Sequence, residues 1–293
     1  MNYRKSLFLT LGLIALVIIS VVLLLKKKFI FEYESPYSVK IIQTWFLPDE
    51  LREISGIFHM GENEIACVQD EDGIIYIYNL ASEKITSEIK FGKRGDYEGI
   101  AIKDETAYVL KSNGKITEIR DFRSDKIQTK THQIFNSKSI NIEGLFLDKD
   151  NRLLMGVKEF KDLDEPESIV IYALNLTTLT LEKEPEIDIS MDDKIFADIP
   201  SSHPSRYFYL SEIAQHPKTE EYYVLEAKTP KLLILNPDKT TKTLLYLDET
   251  SFPQPEGLTF DEEGLIFISN EEDKSEPQNI QLIEIVEKMQ KEK

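Results

Sequence analysis

The 293-residue sequence has one cysteine, one tryptophan and four histidines. A single thiol, Cys67, excludes a disulfide framework and any zinc or iron–sulfur site built on several thiolates. The histidines, His59, His132, His203 and His216, are scattered beside polar residues or proline in the manner of loops. None shows the oriented partner that a catalytic histidine needs. Basic residues are also in deficit, with 35 Lys and Arg against 52 Asp and Glu, for a net charge of -17. That balance argues against a nucleic-acid partner, whose phosphates require clustered cations. The nucleophile elbow, the P-loop, the dinucleotide fingerprint and the H-E-x-x-H zinc motif are all missing. What remains is 41% hydrophobic and 10% aromatic, too apolar for a disordered chain and long enough for one large domain or two small ones.

The one long apolar run is Leu7–Leu25, with Arg4 and Lys5 before it and Lys26, Lys27 and Lys28 after it. About 20 apolar residues of helix cross a bilayer core. The run exceeds the ~7–15 residues of a signal-peptide core. No small-x-small cleavage site follows it, and no cysteine ends it as a lipid-modified terminus requires. The expectation is an uncleaved membrane anchor over residues 1–28, a linker over 29–37, and a body beyond. Two basic residues face three across the run, so the flanking charges nearly balance. The very short N-terminal tail favours a cytoplasmic N-terminus, with the body on the extracytoplasmic side of the cell membrane. Residues 1–28 carry five basic and no acidic side chains, which leaves the body with 30 basic and 52 acidic residues, net -22. Such a body repels anionic lipid and attracts cations.

The body shows no long helical pattern. Short runs rich in Ile, Val, Tyr and Leu alternate with turn signals, as in an all-β chain. Ile74–Tyr78 follows the turn Asp70-Glu71-Asp72-Gly73, Ala107–Leu110 precedes Ser112-Asn113-Gly114, and Leu265–Ser269 follows Asp261-Glu262-Glu263-Gly264. Asn-Gly between apolar runs is a strong hairpin signal. Self-comparison then reveals a repeat. Each unit opens on a glutamate, continues into an apolar strand and a polar turn, and adds further strands. The glutamates are Glu53, Glu98, Glu143, Glu212 and Glu256, spaced 45, 45, 69 and 44 residues apart. About 45 residues of four strands is the period of a propeller blade. Five repeats predict a five-bladed β-propeller over residues 38–286, with a charged tail at 287–293. Tyr37–Phe46 has no unit of its own and is expected to complete the last blade, removing an exposed sheet edge. The long interval is read as an acidic, Pro- and Ser-rich insertion over 162–204, and a sixth, degenerate blade within it is the alternative.

The innermost strand of a blade lines the central channel, so five glutamates that open these strands gather at one mouth. The second strands return to that mouth with Asp70, Asn113, Lys158, Glu226 and Asn270. Converging carboxylates repel one another unless they bind a cation, share protons or pair with lysine. Calcium suits such oxygen ligands. Lys158 and Lys111 are the candidate internal counter-ions. The alternative is structural, each glutamate tying down its own blade through backbone N–H groups. Asp70-x-Asp72-Gly73 and Asp148-x-Asp150-Asn151 lack the full calcium-loop pattern and read as hairpin turns.

The stretches REISGI (Arg52–Ile57), GDYEGIAI (Gly95–Ile102), YVLKSNGKI (Tyr108–Ile116), NIEGL (Asn141–Leu145) and PEGLTF (Pro255–Phe260) resemble the SdiA-regulated, or YjiK-like, family over roughly residues 38–286. The resemblance implies a five-bladed propeller related to NHL-repeat propellers, an N-terminal membrane segment and a bound calcium ion. It implies metal ligands at Glu98, Glu143 and Glu256, then at Glu53 and Glu212, where Glu212 departs from the Glu-Gly form. It implies no particular activity. Two functions follow as expectations. One is a calcium-bearing module that binds a small-molecule or protein ligand. The other is a metal-dependent hydrolase of a phosphate or ester, with Glu226 or Asp70 as base.

Overall fold

The computed structural model describes residues 12–20, 35–135, 139–200, 203–274 and 276–288. Among the described residues, twenty-one strands form five antiparallel sheets arranged as propeller blades. Blade 1 comprises β2 (Ile54–Gly61), β3 (Glu64–Gln69), β4 (Ile74–Asn79) and β5 (Lys84–Lys90). Blade 2 comprises β6 (Tyr97–Lys103), β7 (Thr106–Lys111), β8 (Lys115–Arg120) and β9 (Gln128–Gln133). Blade 3 comprises β10 (Ile140–Leu147), β11 (Arg152–Phe160) and β12 (Ser168–Asn175), with β13 (Thr180–Leu181) and β14 (Ile187–Ser190) sharing its outer edge. Blade 4 comprises β15 (Leu210–Gln215), β16 (Tyr222–Glu226), β17 (Lys231–Leu235) and β18 (Thr241–Tyr246). Blade 5 comprises β19 (Pro255–Phe260), β20 (Ile266–Asn270), β21 (Asn279–Glu287) and the chain's first strand, β1 (Tyr37–Phe46).

The closure expected from the sequence is present. β1 pairs antiparallel with β21 from Tyr37 opposite Glu287 to Phe46 opposite Asn279. The chain therefore fastens its two ends inside one sheet. The five innermost strands, β2, β6, β10, β15 and β19, touch in a complete circle. Turn chemistry sets the hairpins. Gly114 stands at φ +74° in the β7–β8 turn and Gly264 at φ +90° before β20, a region that L side chains rarely adopt.

A core fills each gap between neighbouring blades. Trp45, Ile54, Tyr78 and Phe267 pack between blades 5 and 1, and Ile75, Ile100, Val109 and Phe122 between blades 1 and 2. Leu225, Leu245, Leu258 and Ile268 do the same between blades 4 and 5. All the described core residues fall between Tyr37 and Ile285, so residues 35–288 contain the described cores of the ring.

Two sequence expectations change. The segment 162–204 is not a free insertion, because it contains β12, β13 and β14, blade 3's own outer strands. The surplus after Ser190 packs inward as well, with Phe196 and Phe208 fully buried between blades 3 and 4. The two histidines His59 and His132 lie in strands β2 and β9 rather than in loops. At the N-terminus, residues 12–20 are helical and exposed. Among the described residues no helix is long and apolar enough to cross a membrane. Residues 7–11 and 21–25 of the expected span, and residues 289–293 of the expected tail, lie outside the described residues.

Candidate functional site

Each inner strand breaks register where its glutamate was expected to open it, and those breaks decide which side chains share a level. In β6, Tyr97 pairs with Lys111 and Gly99 with Leu110, leaving Glu98 as the extra residue. In β19, Pro255 pairs with Asn270 and Gly257 with Ser269, leaving Glu256. In β10 the interruption holds Glu143 and Gly144. Such bulges re-aim a side chain. In β15, however, Leu210 pairs with Glu226 and Glu212 with Leu225, so Ser211 is the extra residue. In β2 the interruption holds Ser55 and Gly56. The inner level therefore carries Glu98, Glu143, Glu256, Ser55 and Ser211. Glu53 precedes its strand, and Glu212 stands in register with the glycines of other blades. In β2 and β6 glycine is needed because the adjacent inner strand passes close. A Cβ on Gly56 would lie 2.7 Å from Gly99 Cα, and one on Gly99 would lie 2.6 Å from Leu145 Cβ.

Glu212 satisfies the structural alternative. Its Oε1 accepts from the Leu145 N–H at 2.7 Å and the Ile213 N–H at 2.9 Å, stitching blade 4 to blade 3. Burial holds its pKa well above the ordinary range. Glu53 shares a hydrogen bond with Glu271, which burial and that contact push up to about 9.

The three remaining glutamates face a single ammonium. Lys158 Nζ lies 2.6 Å from Glu143 Oε1. Burial alone would lower its pKa, but Glu143, Glu256 and Glu98 outweigh burial and raise it. Glu143 Oε2 is buried and has no hydrogen-bond partner among the described residues. Burial pushes Glu143 up to about 7 despite Lys158, and burial with the Glu143 charge pushes Glu256 up to about 8.

A tighter cluster lies beside this ring. Asp70, Asp96 and Glu98 place carboxylate oxygens within 4.8 Å of one another. Backbone bonds dock the blade 1 turn onto the start of β6: Tyr97 N–H donates to Asp70 O at 3.0 Å and Gly95 N–H to Glu71 O at 2.9 Å. The Ser112 backbone donates to Asp96 O at 3.1 Å, and its hydroxyl donates to the Asp96 carboxylate. Burial, then Glu143 and Asp96, push Glu98 up to about 10. Burial and the hydrogen bond with Asp96 push Asp70 up to about 7. For Asp96 burial is outweighed by the Ser112 hydroxyl and by hydrogen bonds with Asp70 and Glu98, so it lies below the usual range.

The remaining candidates are placed elsewhere. Lys111 sits over the Tyr97 ring, 4.2 Å from its centroid, rather than among the glutamates. Asn113 is exposed and caps its own turn through the Lys115 N–H. Asn270 is buried and donates to Asn279 within blade 5. Glu226 is fully buried in contact with Lys231 Nζ, and it accepts from Thr229 N–H and Oγ1 at 2.9 Å, which removes it as a candidate base. Asp148 binds Arg152 and accepts its own turn's backbone N–H groups, as a hairpin turn does. Sequence reasoning passed over Asp96, which lies in GDYEG but has no counterpart in the other repeats.

The sequence profile of the SdiA-regulated family matches residues 52–274, which covers all five inner strands. The chain belongs to the SdiA-regulated family. No curated protein matches it at the level of sequence. Among solved structures it is similar to a glutaminyl cyclase from Myxococcus xanthus, with TM-score 0.56, 12% identity, and 85% of this chain and 97% of the other covered. It is also similar to a PQQ-bound aldose sugar dehydrogenase from Streptomyces coelicolor, with TM-score 0.55, 12% identity and coverage of 85% and 98%. At these identities the similarity concerns the fold alone, which hosts unrelated chemistries.

Proposed function

We propose that this family member is a membrane-tethered, extracytoplasmic propeller that binds a divalent cation, calcium, at the mouth of its channel and uses that mouth to hold a ligand or partner protein. The observation that carries the reading is the convergence of Asp70, Asp96 and Glu98 beside a carboxylate ring served by one lysine. The donor set fits a hard cation, since every candidate ligand is a carboxylate oxygen and calcium takes about six to eight oxygens. The buried, partnerless Glu143 Oε2 supports it, because a buried acceptor without a donor is costly. Without a cation, Glu98 and Asp70 keep protons that a metal would displace.

The tether is supported by residues 12–20, whose apolar side chains, Leu13, Leu16 and Val17 among them, stay exposed instead of packing on a blade. Apolar surface on all sides of a helix suits lipid. Extraction of full-length protein from cell membranes by detergent but not by alkali, with the propeller open to protease added outside intact cells, is the expected behaviour. Release by alkali would remove the tether.

A second reading, metal-dependent hydrolysis of a phosphate or ester, rests on the same cluster of Asp70, Asp96 and Glu98. A cation held there would polarise the scissile group and lower the pKa of a bound water. Calorimetry of residues 35–288 with calcium tests the shared core of both. Micromolar binding that Asp70→Asn or Glu98→Gln weakens at least about tenfold supports it, by comparison with losses at other ligand shells. Heat that is absent, or unchanged in both variants, removes it. Turnover of generic phosphate or ester substrates that depends on the metal and on Glu98 then selects hydrolysis.

A further inference from the structure

The channel's other mouth has a different chemistry. A cavity of about 560 Å³ opens there, walled by the second halves of all five inner strands and the turns that follow them. Phe58, Met60, Ile102, Phe146, Leu147 and Phe260 line it and are only half-buried. Its size lies within the roughly 300–1,000 Å³ of small-molecule sites, which are mostly apolar with a few placed polar groups.

Among the described residues, the charges at its edge that lack an ion-pair partner are of one sign. The lining lysine, Lys149, is taken up by Glu220 at 2.9 Å. Asp104, Asp261 and Glu262 also line the cavity, and none has an ion-pair partner among the described residues. Asp261 is fixed in place by the Leu265 N–H at 2.7 Å. The Asp261 and Glu262 charges reach inward as far as His59. An anionic ligand would meet these carboxylates, whereas a cation would offset them and also find the phenylalanine faces favourable.

We infer that this cavity is a binding site for a small amphiphilic cation, its apolar body against Phe58, Phe146 and Phe260 and its ammonium-type head among Asp104, Asp261 and Glu262. The site shares no residue with the carboxylate cluster at the opposite mouth, so either can fail without the other.

The test is calorimetric titration of residues 35–288 with decylammonium, decanol and decanoate, each below its aggregation concentration. One decylammonium per chain is expected, about tenfold tighter than decanol, the scale of a few partly exposed charge contacts, with decanoate weakest. The double variant Asp104→Asn, Glu262→Gln should bring decylammonium close to decanol and leave decanol unchanged. Phe146→Ser should weaken the cation and the alcohol alike. If that variant melts below the assay temperature, Ile102→Ser on the neighbouring strand β6 serves instead. Equal affinities for the three heads, a preference for decanoate, no decylammonium binding, or a head preference that survives the double variant would each overturn the assignment.

Discussion

The Lys158 ammonium lies 2.6 Å from Glu143 Oε1, while Oε2 of the same buried carboxylate has no partner among the described residues. One lysine charge is thus set among Glu143, Glu256 and Glu98. It offsets only part of their charge, and burial with the remaining like charges keeps Glu256 and Glu98 well above the usual carboxylate range.

Replacing that lysine separates the two cations. Lys158→Met should destabilise the metal-free propeller by about 3 kcal/mol, the low end of the cost of breaking a buried pair, as read by urea denaturation. The same variant should bind calcium more tightly than wild type, because the competing charge is gone. Weaker calcium binding in Lys158→Met would show that the lysine orients the ligands instead of competing with the ion.

The pH dependence has a defined sign. Asp70 and Glu143 are raised to about 7, Glu256 to about 8, Glu271 to about 9 and Glu98 to about 10. A carboxyl raised in the folded state holds its proton more tightly than in the unfolded chain. Its contribution is therefore full below the ordinary carboxylate range and is lost as pH rises toward the folded value. Asp96, Glu118 and Glu186 are shifted down, and their contribution is lost only as pH falls through that range. Between about pH 5 and about pH 8 the raised groups dominate, so the metal-free Tm should fall as pH rises. Saturating calcium, which binds the ionised forms, should flatten or reverse that trend. Melting curves with chelator and with calcium at both ends of the window check this.

Close approach of the inner strands gives a purely steric prediction. Gly99→Ala would place a Cβ 2.6 Å from Leu145 Cβ and 3.1 Å from Glu143 O, so a loss of about 2 kcal/mol or more is expected from overpacking. Gly61→Ala, at φ +86° with nothing within 4 Å, should lose only about 1 kcal/mol through backbone strain. Equal losses in chemical denaturation would contradict the strand-to-strand contact.

The ion pair of blade 4 is a different kind of charge. Lys231 and Glu226 are both fully buried, Lys231 Nζ also reaches Thr229 O at 3.2 Å, and burial lowers the lysine's pKa despite Glu226. Lys231→Met should cost about 3–5 kcal/mol by leaving Glu226 unpaired, and adding Glu226→Leu should recover most of that. A double variant as unstable as the single would show that the cost lies in packing against Phe208.

The five-fold repeat was legible because each unit contains an apolar strand after a glutamate, and β1 was legible as the closing strand because Tyr37–Phe46 has no unit of its own. The inner ring was only partly legible. Glu98, Glu143 and Glu256 carry the Glu-Gly signature, whereas Ser55 and Ser211 occupy the same level behind Glu53 and ahead of Glu212. A displacement of one or two residues at a bulge leaves no trace in composition, although the lost glycine after Glu212 was a signal. Asp96 was missed because its role comes from the blade 1 turn that delivers Asp70 to it. The outer strands of blade 3 were missed because charged neighbours hid them, yet SIVIYALN at Ser168–Asn175 is itself a strand pattern.

The most direct measurement is a crystal structure of residues 35–288 grown with calcium. The account predicts one ion held by carboxylate oxygens of Asp70, Asp96 and Glu98 at about 2.3–2.6 Å. Water at that position, with the three carboxyls still hydrogen-bonded to one another, would contradict it.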